Sequence, residues 1–146
     1  MVTPIRILLV DRSNVIRQGL RALIQTELGL QIIGQAADQT TAIELALSLQ
    51  PDVIILDLLP SEATGRNTIA STLLALKQVR PQARLLVFTN AIDKAEVLEA
   101  LEAGAAGYML KGTSGREMLE AIRDVFLGQQ VLHPTIAPLV NPPAGG

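Results

Sequence analysis

The sequence contains no cysteine, no tryptophan, one histidine (His133) and three aromatic residues, Phe88, Tyr108 and Phe126. Without cysteine there are no disulfide scaffolds, thiolate nucleophiles or thiolate metal sites, and a single histidine nearly removes imidazole chemistry. No apolar stretch reaches the roughly 18 residues that span a bilayer, and the N-terminus has no signal-peptide core. A cytoplasmic protein without membrane contact is therefore expected. Lys and Arg number 12 against 14 Asp and Glu, with no long run of one sign, so the basic stripe of a dedicated nucleic-acid binder is also missing.

What is present is apolar: 49% of the 146 residues are hydrophobic and 18% charged, enough for one folded domain. Five short runs rich in Ile, Leu and Val predict strands, namely 5–10, 31–35, 53–56, 84–88 and 106–110. Helical-period segments separate them. The first follows a capping Ser13 or Asn14 and places Val15, Ile16, Leu20, Leu23, Ile24 and Leu28 on one face. Segments 40–49, 67–79, 94–103 and 114–127 read similarly, with Gly104 and Gly128 just past two helix ends. Continuously apolar strands are buried on both faces, so the expected fold is α/β, a doubly wound (βα)5 open sandwich around a five-stranded parallel sheet. From Gln129 onward the chain is uncharged and holds four of the eight prolines. The expected organisation is a body of residues 1–128 and a Pro-rich linker or tail of 129–146, with no DNA-binding domain in this chain.

Ligands of open parallel sheets collect outside the carboxyl ends of the strands. There the sequence places Asp11-Arg12, Asp57, Thr89-Asn90 and Lys111, the last preceded by Tyr108. A carboxylate ending an apolar strand requires a partner, and Lys111 is the obvious one for Asp57. That pair reads either as a structural ion pair or as a nucleophilic carboxylate whose aspartyl phosphate is met by the Lys111 ammonium and the Thr89 hydroxyl. His133, with no second His or Cys nearby, is not expected to bind metal. Neither a GxGxxG nor a P-loop is present, which weighs against the remote alternative of a small-molecule-binding enzyme on this fold.

The stretches Ile5–Asp11, Pro51–Leu58, Leu86–Thr89 and Ala103–Gly112 resemble the receiver domain of two-component response regulators, in the LuxR-type (NarL/FixJ) branch. The resemblance covers residues 4–128 in order. It implies a flavodoxin-like receiver fold and a signalling module rather than an enzyme, with Asp57 as phosphoacceptor from a histidine kinase. It also implies that Thr89 and Lys111 bind the acyl phosphate. Thr89 and Tyr108 would form the switch, the ring turning inward on activation. A homodimer through the face of fourth helix, fifth strand and fifth helix, or through another helix face, is expected, and transcriptional control, with any contact to DNA, passes through a helix-turn-helix absent from these residues.

The sequence departs from that family pattern at Arg12, which stands where the family has a second acidic residue that ligates Mg²⁺ directly. The acidic pocket is thus reduced to Asp11 and Asp57 as metal-site carboxylates, and with Arg12 and Lys111 its formal charge is zero. Hard-oxygen coordination of Mg²⁺ gains little there, so a weak or absent Mg²⁺ site is expected. Arg12 can instead pair bidentately with Asp57, reach a phosphoryl oxygen, or extend into solvent. Glu62 is a candidate replacement oxygen, and Pro60 lies one position earlier than the family places it. A degenerate receiver acting by protein contact, without phosphate, is the alternative within this class.

Overall fold

The computed structural model describes residues 3–57 and 69–141. Its strands are β1 (Ile5–Val10), β2 (Leu30–Ala36), β3 (Val53–Leu56), β4 (Arg84–Thr89), β5 (Ala105–Leu110) and β6 (Val131–Leu132). The helices are α1 (Asn14–Gln25), α2 (Gln39–Leu49), α3 (Ile69–Val79), α4 (Lys94–Glu102), α5 (Gly115–Phe126) and α6 (Ala137–Val140). All strand pairs are parallel, in the order β2-β1-β3-β4-β5-β6. The fold is the expected doubly wound α/β sheet, with a sixth strand in place of the expected five.

Side-chain alternation sorts the central strands between two apolar layers. Leu8, Val10, Ile54, Leu56, Leu85 and Val87 face α2, α3 and α4, meeting Ala42, Ala46, Leu73, Leu76, Val97 and Ala100. Ile7, Leu9, Val53, Ile55, Leu86 and Phe88 face the opposite layer, meeting Leu20 and Ile24 of α1 and Met118, Ile122 and Val125 of α5. Covered on both faces, β3 has no polar position along its length, which is why it reads as a continuous Val-Ile-Ile-Leu run.

Side chains at the helix starts satisfy orphan amides. Ser13 Oγ accepts from Ile16 N at 3.2 Å, Asp38 Oδ1 from Thr41 N at 2.7 Å and Ser114 Oγ from Glu117 N at 3.2 Å. Of the two cap candidates before α1, Ser13 takes the position and Asn14 is the first helical residue. Gly104, with φ of 106°, lets the chain leave α4 and enter β5 within two residues.

The sixth strand comes from the Pro-rich segment. Val131 and Leu132 pair in register with Gly107 and Tyr108, and Ile136, a few residues on, is fully buried in the α2–α3–α4 layer. A two-residue strand has no readable period, and Pro134 beside it argues locally for a turn. The loop containing Pro60 and Glu62, and the expected start of the third helix at Asn67, lie outside the described residues. Among the described residues, no helix is long and apolar enough to cross a membrane.

Candidate functional site

Strand order reverses between β1 and β3, opening a crevice at their carboxyl ends. Each neighbouring strand places one polar residue there, at or just beyond its last apolar one. The backbone fixes these positions through Asp11 N to Ala36 O, Asp57 N to Val10 O and Lys111 N to Thr89 O, each 3.0 Å. Asp11, Asp57, Thr89 and Lys111, four residues the sequence singles out, therefore line one cleft of about 390 Å³, together with Arg12, Ser13, Asn90 and Ala91.

Lys111 is the hub. Its Nζ lies 2.5 Å from Asp57 Oδ2 and 3.0 Å from Asp11 Oδ2, with the three side chains mostly buried. Burial disfavours the ammonium, but hydrogen bonds to Asp57 and Asp11 and the charges of both outweigh it, so the Lys111 pKa is raised. Asp11 is further held by Ser13 N, which donates to its Oδ1 at 2.8 Å. Arg17 donates to the Asp11 carbonyl and reaches Gln35 Oε1 at 3.2 Å, so α1 and β2 buttress the loop that carries Asp11. The sequence gives no hint of this for Arg17, which reads as one more polar residue on the outer side of α1.

Arg12 is exposed on the cleft's rim and forms no ion pair with Asp57. The bidentate Arg12–Asp57 pair is therefore not formed. Lys111, arriving from the end of β5, occupies Oδ2 of both carboxylates, and Arg12 is left exposed at the rim.

Thr89 is buried, and its Oγ1 accepts from Ala91 N at 3.2 Å. Tyr108 donates its hydroxyl to Ala91 O at 2.7 Å, so Thr89 and Tyr108 meet through one residue of the β4–α4 loop. The Tyr108 ring is already inside, 1% exposed. Burial first, then the charges of Glu96, Asp57 and Asp93, push its pKa up to about 12, which keeps the hydroxyl a proton donor. His133 stands away from this cleft and uses Nδ1 to accept from Thr135 N at 3.1 Å, a local turn contact.

The sequence matches the family model described as "Response regulator receiver domain" over residues 7–123. It is 32% identical over 132 residues to "Response regulator protein VraR" of Staphylococcus aureus, covering 90% of this chain and 61% of that protein. The chain thus spans about three-fifths of the length of this curated relative. Among solved structures, it is similar to a LuxR-family two-component response regulator from Aurantimonas sp. SI85-9A1, with TM-score 0.84 and 33% identity over 95% of this chain and 96% of that one. It is also similar to the signal receiver domain of the putative response regulator NarL from Mycobacterium tuberculosis, with TM-score 0.78 and 27% identity over 87% and 99% of the two chains. Sequence, sheet order and the polar residues at the strand ends agree: the chain belongs to the response-regulator receiver family, in its NarL/LuxR-type branch, and is a signalling module of two-component systems.

Proposed function

We propose that this receiver takes a phosphoryl group on Asp57 from the phosphohistidine of a histidine kinase. An Asp57 oxygen attacks phosphorus, the phosphorus–nitrogen bond breaks, and the imidazole nitrogen leaves with the electron pair and takes a proton from water. Lys111 then neutralises the new phosphoryl oxygens, and the Thr89 hydroxyl turns from Ala91 N to donate to one of them. The observation that carries this reading is the Lys111 ammonium bridging Asp57 and Asp11 in an open cleft. Residues 1–128 form the switching body in this reading, and 129–146 lead towards an output. That output is transcriptional, through a helix-turn-helix outside these residues, with homodimerisation as the intermediate step. The similarity to VraR and to LuxR-family regulators supports it.

The family implies Mg²⁺, and the donor set among the described residues does not fit it. Among the described residues no group of three His, Cys, Asp or Glu side chains is arranged to hold a metal. Both cleft carboxylates are engaged by Lys111, and Arg12 adds a second cation at the rim. The described charges of the cleft, Asp11, Asp57, Arg12 and Lys111, sum to zero, and a neutral set attracts a dication weakly. The transfer is therefore assigned to the protein's own groups, with Arg12 as a cation free to reach the phosphoryl oxygens. The same observation favours, as second reading, a receiver that works by protein contact without phosphate.

Intact mass after incubation with acetyl phosphate, with and without Mg²⁺, separates these outcomes. The expected result is a single phosphoryl adduct that forms without Mg²⁺ and is lost in Asp57→Asn. A strictly Mg²⁺-dependent adduct overturns the metal-poor pocket. No adduct under either condition leaves the phosphate-independent module.

A further inference from the structure

The two edges of the sheet are built differently. At one, β6 is a strand of two residues, and so short an edge offers little to an added chain. At the other, β2 runs for seven residues, Leu-Gln-Ile-Ile-Gly-Gln-Ala, and pairs only with β1 among the described residues. It contains no proline and no charged side chain, the features that usually blunt an exposed edge. The outer row of backbone N–H and C=O groups faces no other strand, and such a row is a template for one more.

A bulge adds a side chain to this edge. Ile7 pairs with Ile32 and Leu8 with Gly34, so Ile33 is an extra residue on the β2 side, with pairing to β1 intact before and after it. Leu30 and Ile32 join the apolar layer of α1 and α5, and Gly34 lies against Leu45 and Leu49 of α2. Ile33 packs into neither layer, is only partly buried, and borders a groove of about 440 Å³ between β2 and α1.

The groove carries charge of one sign. Arg21 lines it, is exposed, and takes part in none of the ion pairs among the described residues. The other polar side chains on its wall are those of Gln25, Gln31 and Gln35, with no acid among them. Arg17, one turn earlier on α1, donates through Nε to Gln35 Oε1 at 3.2 Å and brings a second positive charge. Glu44, the one acid of α2, belongs to the helix on the opposite face of the sheet.

That charge selects the occupant. A second copy would join β2 to β2 antiparallel, about a two-fold axis that continues the sheet and sets α1 beside α1. This helix holds Arg17 and Arg21 and no acidic residue, so the two copies would repel along their contact. An acidic strand is attracted instead. We propose that the β2 edge and the Arg21 groove beside it are a docking site for an extended, acidic segment of a partner protein, which adds to the sheet as a further strand. Its carboxylates face Arg21 and Arg17, and its apolar side chains lie against Ile33. The backbone ladder supplies the attachment, and the arginines set the preference for charge. This edge is separate from the Asp57 cleft, so the proposal does not require Asp57 to accept phosphate.

Amide NMR titration of the full chain tests this. The probes are an end-blocked peptide, Thr-Val-Glu-Val-Glu-Val-Thr, its counterpart with Lys for both Glu, and the Glu peptide N-methylated at its three central residues, which keeps the side chains and removes ladder donors. The Glu peptide should shift the amides of residues 30–36 saturably and leave those of 131–132 unmoved. It should bind roughly threefold or more tighter than the Lys peptide, the scale of an exposed ion pair. N-methylation should abolish binding, and Arg21→Glu, a change at an exposed helix position, should erase the preference for the Glu peptide. The proposal is overturned by the absence of a saturable shift at residues 30–36, by equal binding of the Glu and Lys peptides, or by a preference that survives Arg21→Glu. An N-methylated peptide that binds as well as its parent also overturns it, because the site is then a side-chain groove and not a strand edge. So does a concentration-dependent dimer in sedimentation that shifts the same amides, which makes a second copy the occupant.

Discussion

Replacing Lys111 by Met removes the cation between two carboxylates while keeping the length of the side chain. Its ammonium contacts Asp57 at 2.5 Å and Asp11 at 3.0 Å, with side-chain exposures of 12% for Lys111, 17% for Asp57 and 7% for Asp11. Breaking a buried ion pair on one side costs roughly 3–5 kcal/mol, because a charge is left uncompensated. Two features reduce this: Ser13 N still donates to Asp11, and Arg12 at the rim is available to turn inward. The expected loss is about 2–3 kcal/mol, which with a urea slope of about 1.5 kcal/mol/M moves the midpoint by roughly 1.3–2 M. Circular dichroism is the suitable probe, since the chain has no tryptophan. Adding Asp57→Asn to Lys111→Met should recover at least about 1 kcal/mol, because much of the penalty is the repulsion between the Asp57 and Asp11 carboxylates once no ammonium bridges them. The pH dependence has a definite sign. The Lys111 pKa is raised above 10.5 in the folded protein, so its contribution is complete below that pH and fades as pH climbs through the folded value. The gap between wild type and Lys111→Met should therefore hold from neutral pH to about 10 and close above it. A midpoint shift under about 0.3 M, or a double variant no more stable than Lys111→Met, would refute the account.

Tyr108 makes a second alkaline prediction. Its pKa of about 12 exceeds the ordinary value of 10.0, so between these pH values the folded chain keeps a proton that the unfolded chain releases. Stability should fall by about 1.4 kcal/mol per pH unit across that window from this group alone. Tyr108→Phe should lose about 1 kcal/mol at pH 8 with the bond to Ala91 O, yet lack that slope, so denaturant curves of the two proteins should converge by pH 11. Parallel pH dependences would mean that the hydroxyl is not held as described. Arg12→Asp changes the formal charge of the cleft from zero to minus two and restores a third carboxylate. Mg²⁺ affinity, read by NMR titration of amides around Asp57, should rise at least tenfold, about 1.4 kcal/mol; no gain would show that charge does not limit the site.

The sheet was legible because its strands are apolar on both faces, and a run as short as Val53–Leu56 fits a strand covered on both sides better than a buried helix. The site was legible for a related reason: where each strand stops being apolar, the next residue lies at the sheet's carboxyl edge, which is how Asp11, Asp57 and Lys111 are found together. What stayed hidden depends on single contacts. Ile136 stands between Pro134 and Pro138, and although Leu132, Leu139 and Val140 lie at helical spacing from it, the prolines make the segment read as a linker, yet this residue is fully buried. Arg17 looks like a solvated helix residue, and only the fold shows that it binds the carbonyl of Asp11. The alanine at position 91 carries no chemical signal at all, because its backbone N–H and C=O join Thr89 to Tyr108.

These contacts also explain why position 12 can carry an arginine without disturbing the fold. Asp11 is built in: its amide bonds to Ala36 O, its carboxylate to Lys111 and Ser13 N, and its carbonyl to Arg17. Replacing its side chain would leave the two backbone bonds in place but take a partner from both the Lys111 ammonium and the Ser13 amide, and a buried polar group that loses its partner costs stability. Arg12, one residue on, is exposed on the rim and bonded to none of these partners, so its charge acts on whatever enters the cleft and hardly on folding. The charge of the cleft and the stability of the domain are therefore separable variables here. Substitutions at Arg12 should retune ligand preference while leaving the unfolding midpoint almost unchanged, whereas Asp11 and Lys111 cannot be altered without affecting both.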